Sequence, residues 1–207
     1  MKVKLFILLT AGLLLLGGSA KSLKESVSIR QIETDFPVIV MGSIETERIF
    51  GISFPLAFEH KDKFFEKRNM NRINYYYRRL YGGVGSGWGT FISAYQVVFG
   101  RQERIRSITS IDLIENESQI IVYTRHRLDT AKIIQTELRP YLEQIIQRGL
   151  QGTDGVDTLS VGTFREFRER HPELVKNLLR GDSIEFQLLG RDNRTELDTW
   201  ITLPIKF

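Results

Sequence analysis

The feature that most constrains this chain lies at its start. Lys2 and Lys4 precede an uncharged run from Leu5 to Leu16, and Gly17, Gly18, Ser19 and Ala20 follow it. A basic start, a short apolar stretch and a small-residue site are the three parts of a secretory signal peptide. The run is also shorter than the ~20 apolar residues a helix needs to cross a bilayer. Residues 1–20 are therefore expected to be cleaved near Ala20, leaving an extracytoplasmic chain, periplasmic or secreted. That chain must fold outside the cytoplasm, and it has no cysteine. No disulfide can brace it, no thiolate can hold a structural zinc, and no lipidated cysteine can anchor it.

Removing the first 20 of 207 residues leaves 187. That length buries enough surface to fold without covalent staples. No later stretch is long and apolar enough for a helical membrane span; Ala94 to Gly100 is brief, and Gln96 interrupts it. The formal charge of +4 falls to +2 once Lys2 and Lys4 leave, which does not point to nucleic acid as a partner.

The pattern of apolar residues predicts an α+β fold with a largely antiparallel sheet and two amphipathic helices in the C-terminal half. Val27 to Thr34, Pro37 to Ile44 and Ile49 to Phe58 read as strands, with Pro37 and Pro55 confined to edges or ends because proline cannot donate to a ladder. Glu59 to Arg72 reads as a short helix or loop. Ile105 to Ile114 and Gln119 to Arg127 read as a hairpin joined by Glu115 to Ser118. Ala131, Ile134, Leu138, Tyr141, Leu142 and Ile145 form one helical stripe, and Pro140 should kink or split it near Leu138. Thr163 and Glu166 form a capping box that opens a second helix, Pro172 fits a new first turn with His171 as its cap, and Gly181 terminates it. Val156 to Val161, Ser183 to Leu189 and Leu197 to Phe207 complete the strands. The organisation is a β-rich part, 21–104, containing the glycine-rich segment 82–89, and an α+β part, 105–207; the two are compatible with one continuous domain, 21–207.

One segment is chemically distinctive. Five of the seven tyrosines fall between Tyr75 and Tyr95, and five glycines fall within residues 82–89. Tyr75, Tyr77 and Trp88 offer aromatic faces for stacking on sugars. Arg78 and Arg79 offer planar forks of donors to phosphate or carboxylate, and the glycines allow close backbone approach. These five side chains are the candidate ligand-binding residues. The bland alternative is that alternate tyrosines on a strand are core and the arginines a solvated face.

Catalytic signatures are weak. Gly83, Gly85 and Gly87 do not match G-x-G-x-x-G, and no Walker lysine follows. Ser86 lacks the first glycine of G-x-S-x-G. His60 lies in a charged stretch and reads as a solvated loop. His126 sits between Arg125 and Arg127, whose charges would lower its pKa. No histidine shows metal spacing, Asp154 and Asp157 lack the ligand pattern of a calcium loop, and Asp192 reads as a turn residue. No cofactor and no metal are expected. The reading is a non-enzymatic, envelope-associated binding protein whose partner is an anionic lipid, a cell-envelope glycan or another envelope protein. The alternatives are a cell-envelope hydrolase using His126 or Ser86, and an outer-membrane β-barrel suggested by alternating Ile201, Leu203, Ile205 and the terminal Phe207.

Overall fold

A computed structural model describes residues 27–62, 68–78, 85–87, 92–98, 101–105, 111–113, 117–128, 132–149, 156–188 and 199–207. The N-terminal strands are β1 (Val27–Ile32), β2 (Pro37–Ser43), β3 (Arg48–Asp62) and β4 (Arg68–Tyr77). Shorter strands follow: β5 (Gly85–Gly87), β6 (Ile92–Val98), β7 (Arg101–Arg104) and β8 (Ile111–Leu113), then the long β9 (Glu117–Arg127). The last part holds α1 (Lys132–Glu137), α2 (Arg139–Arg148), β10 (Asp157–Thr163), α3 (Phe164–Arg170), α4 (Pro172–Leu179), β11 (Ser183–Leu188) and β12 (Thr199–Pro204).

All strand pairs among the described residues are antiparallel, and they make two sheets. The first has the order β10-β2-β3-β9-β6-β7 and curls into a half-barrel; β1 also pairs with β3. The second has the order β12-β11-β4-β5, with β8 also on β4. The α+β class read from the sequence is the class the chain adopts. Each amphipathic helix is broken by a proline: Pro140 separates α1 from α2 at Leu138, and Pro172 separates α3 from α4 at His171. At Thr163 the capping box forms on both sides, with the Glu166 N–H donating to the Thr163 hydroxyl and the Thr163 N–H donating to the Glu166 carboxylate.

β3 is the central strand, and Pro55 sits in its middle. One side of β3 pairs with β9 from Gly51 to Lys61. The other side pairs with β2 up to Ser53 and with β1 from Ala57 onward. β1 and β2 therefore lie end to end along the same edge, interrupted by residues 33–36. Pro55 falls at that interruption, where the ladder asks for no donor.

The core forms where the two sheets face each other. Ile52, Phe54, Leu56 and Phe58 of β3 and Ile120 and Val122 of β9 are all at most 1 % exposed. Opposite them lie Ile73, Tyr75 and Tyr77 of β4 and Ile184 and Phe186 of β11. Phe58 meets Phe186 edge to face at 5.1 Å, and Phe54 meets Phe164 and Phe167 of α3 at 5.6 and 5.9 Å. Such tilted pairs bring the positive ring edge to the negative face.

Three expectations fail. Pro55 lies neither on an edge strand nor at a strand end, but in the middle of the central strand, at the gap between β1 and β2. The described residues of Glu59 to Arg72 are strand, not helix or loop: β3 runs on to Asp62 and β4 begins at Arg68. The hairpin across Glu115 to Ser118 does not form either: β8 pairs with β4 in the second sheet, whereas β9 pairs with β3 and β6 in the first. Local alternation marks a strand but not its partner.

Replacing Phe186 by alanine is expected to lower the unfolding free energy by about 3–5 kcal/mol, read as a lower urea midpoint. Ile146→Ala, on an exposed helix face, should change it by less than about 0.5 kcal/mol.

Candidate functional site

Tyr75 and Tyr77 alternate inward on β4 and are 0 % and 2 % exposed, so their ring faces are withdrawn from any ligand in solvent. They pack on each other at 4.6 Å and on the His126 ring at 6.1 and 5.1 Å. Arg78 follows at the strand end and is exposed. Arg79 and Trp88 lie outside the described residues, as do Asp154 and Asp192. Ser86 is placed only by its backbone, which pairs with Tyr76.

What the buried tyrosines build is a polar cluster around Asp182, a residue the sequence reading passed over. Arg180 caps the C-terminus of α4, and Gly181 turns the chain with φ +85° while the Arg78 side chain crosses it so closely that a Cβ there would overlap Arg78 Cδ. This delivers the Asp182 carboxylate to the interior, where it is 2 % exposed. The Tyr75 hydroxyl donates to Oδ2 at 2.9 Å, and the Arg78 N–H donates to Oδ1 at 2.9 Å. His126 Nδ1 is 3.9 Å from Oδ2, beyond hydrogen-bond length. Its Nε2 is 3.0 Å from the Thr124 hydroxyl, which also lies 3.4 Å from the Phe54 carbonyl. The Tyr77 hydroxyl accepts from the Arg125 N–H at 3.1 Å.

Burial pushes Asp182 up to about 6, against the pull of its two donors, and desolvation alone brings His126 down to about 3. The sequence reading put the lowering of His126 on its arginine neighbours. Burial is the cause, because Arg125 and Arg127 point to the opposite, exposed face of β9. Thr124, His126 and Asp182 have the order of hydroxyl, base and acid used in acyl transfer. All three are nonetheless buried, at 0 %, 5 % and 2 % exposure, and His126 and Asp182 stand 3.9 Å apart, beyond hydrogen-bond length. The arrangement is a joint between sheets.

The other histidines also depart from expectation. His60 is 1 % exposed on β3 and is not in a solvated loop. His171 is the N-cap residue of α4, as expected, but its side chain makes no cap hydrogen bond. Its Nδ1 meets the Glu137 carboxylate at 2.8 Å and its Nε2 meets the Tyr141 hydroxyl at 2.8 Å, with Arg170 donating to the same hydroxyl. These contacts clip the two proline breaks together. Asp157 opens β10 rather than lying in a loop, and it is 3 % exposed.

A solvent-facing site lies at the interruption opposite Pro55. There an open cleft of about 220 Å³ is floored by Ile32, Pro55, Leu56 and Phe164. Arg165, Arg168 and Lys206 bring three cations to its rim against the Glu33 carboxylate, which lies 3.7 Å from Arg165. Arg168 is held over the Phe164 ring at 6.0 Å, and Gln31 fixes the Lys206 backbone by accepting from its N–H and donating to its carbonyl. Sequence reasoning missed this site. The available signal was Arg165 and Arg168 three apart, which places them on one helix face beside Phe164.

No protein-family model matches this chain, and no curated protein or solved structure matches it.

The two buried groups of the joint should tilt stability in opposite directions. The folded pKa of Asp182 is raised, so its contribution is complete below about pH 4 and is lost as pH rises to about 6. The folded pKa of His126 is depressed, so its contribution is present above about pH 6.5 and is lost as pH falls. Between pH ~4 and ~6 the two slopes oppose, each at most about 1.4 kcal/mol per pH unit. Relative to wild type, urea midpoints of His126→Gln should rise on acidification through this range, and those of Asp182→Asn should fall. Parallel profiles for the two variants would refute the assignment.

Proposed function

We propose that this chain is an exported, non-enzymatic binding protein of the cell envelope, and that its ligand is an anionic lipid whose headgroup seats in the cleft beside Phe164. The observation that carries this reading is the pairing of an apolar floor with three cationic side chains at one rim. The floor takes up methylene groups, and Arg165, Arg168 and Lys206 meet the phosphate, with guanidinium supplying paired donors. A cleft this size holds a headgroup and the first part of an acyl chain. The leader-like N-terminus supports delivery to a compartment where such lipids face solvent. The binding reading is favoured over hydrolysis because the hydroxyl, imidazole and carboxylate that could do acyl chemistry are enclosed in the core, while the cleft is lined by groups that attract charge.

Two measurements test it. Fractionation should find the protein outside the cytoplasm and shortened to begin near Lys21. Sedimentation with phosphatidylglycerol vesicles should exceed sedimentation with phosphatidylcholine vesicles, fall as salt is raised, and drop at least tenfold in the Arg165→Glu/Arg168→Glu variant, since each cation near an anionic surface contributes about 1 kcal/mol. Equal binding to both vesicle types would reject the reading.

A further inference from the structure

The second sheet has one face in the core and one turned outward, and the outward face is ordered in a way that bulk solvent does not require. Strand register fixes which residues share it. On β11, Glu185 lies directly opposite Asn74 of β4 on one side and Thr202 of β12 on the other. One step along, Gln187 lies between Arg72 and Trp200; one step the other way, Ser183 lies beside Tyr76.

Glu185 is the centre of a hydrogen-bond cluster. Asn74 donates to its Oε2 at 3.2 Å, the Tyr76 hydroxyl donates to the same oxygen at 2.7 Å, and the Thr202 hydroxyl donates to Oε1 at 3.2 Å. The carboxylate is thereby fixed in orientation on a rigid three-strand support, with lone pairs still available, since each carboxylate has about four acceptor sites. Beside this cluster Trp200 is 38 % exposed, one of only three large apolar side chains so exposed among the described residues. Tyr76, half-buried, lies diagonally across the sheet from it. Two strands across and four residues along place their backbones roughly 17 Å apart.

We propose that this face binds a neutral glycan. A sugar ring has an apolar C–H face and a rim of hydroxyls, and the platform presents the complement of both. The Trp200 indole offers a flat surface for the ring face, and Glu185, Asn74 and Thr202 offer fixed acceptors and donors for the hydroxyls. Charge favours a neutral polymer over an anionic one: among the described residues, the outward positions of β4, β11 and β12 carry one guanidinium, Arg72, and one carboxylate, Glu185. This contrasts with the cleft, where cations prevail. The span from Trp200 to Tyr76 suits a chain of several sugar units. β12 carries Trp200 and Thr202 on this face and then runs on to Lys206 at the cleft, so the two sites are independent surfaces on connected elements.

The test uses the chain carrying Trp88→Phe, which leaves Trp200 as the sole tryptophan reporter. It is titrated with maltotetraose, cellotetraose and chitotetraose. At least one is expected to give a saturable change in Trp200 fluorescence that does not depend on salt. By calorimetry in the otherwise unaltered chain, Trp200→Ala and Glu185→Gln should each weaken binding about tenfold or more, the change that loss of one stacked ring or one oriented acceptor produces. Arg165→Glu/Arg168→Glu should leave glycan affinity unchanged, which separates failure here from failure of the lipid site. Absence of saturable binding by all three sugars, or full affinity in a folded Trp200→Ala variant, overturns the proposal.

Discussion

The two sheets of this cysteine-free chain meet over one buried polar cluster, in which the Arg125 N–H of β9 donates to the Tyr77 hydroxyl of β4, the Tyr75 and Tyr77 rings pack on His126, and Asp182 anchors the second-sheet side. Asp182 gathers a hydroxyl from β4, an amide from the end of β4 and, through its own backbone, the Leu179 carbonyl at the end of α4 and the Ile205 N–H after β12. A buried ionisable group is costly unless its lone pairs are satisfied. Here the compensation is geometric: Gly181 takes a conformation that L side chains resist, and the Arg78 side chain fills the space a Cβ would need. The position of α4 therefore depends on that turn, and so does the docking of β11 against β4. His126 beside it is held neutral by burial, since a charged imidazole in this setting would have no carboxylate within hydrogen-bond length.

This use of the interior explains where surface chemistry remains. Tyr75, Tyr77, Thr124 and His126 carry the most reactive-looking groups of the chain, and all are taken up in holding the sheets together. What faces solvent is of another kind: cations around an apolar floor at the cleft, and an exposed indole beside a fixed carboxylate on the second sheet.

How much of this was legible beforehand follows from the range of the interactions involved. Helix breaks at Pro140 and Pro172 and the capping box at Thr163 are set by neighbours within a few residues, and the sequence states them openly; that Tyr75 and Tyr77 are core and not ligand-facing was only the alternative reading. Asp182 was not legible as a joint, because its partners lie about a hundred positions away along the chain. The false hairpin at Glu115 to Ser118 has the same origin: the two strands pair in different sheets, each with partners distant in sequence, and local alternation does not mark a partner. His60 was misread because the charged residues around it face outward while its own ring points inward on a long strand. The cleft was hidden because it draws on β1, β3, α3 and the C-terminal segment together.

The meeting of β1 and β2 end to end along β3 has a consequence for tolerance to change. Residues 33–36 leave the ladder opposite Pro55, and the strands on either side hold their registers through separate sets of hydrogen bonds. Length at that point is therefore decoupled from pairing elsewhere. An insertion or deletion in that excursion would reshape one wall of the cleft without moving a single cross-strand pair of the half-barrel.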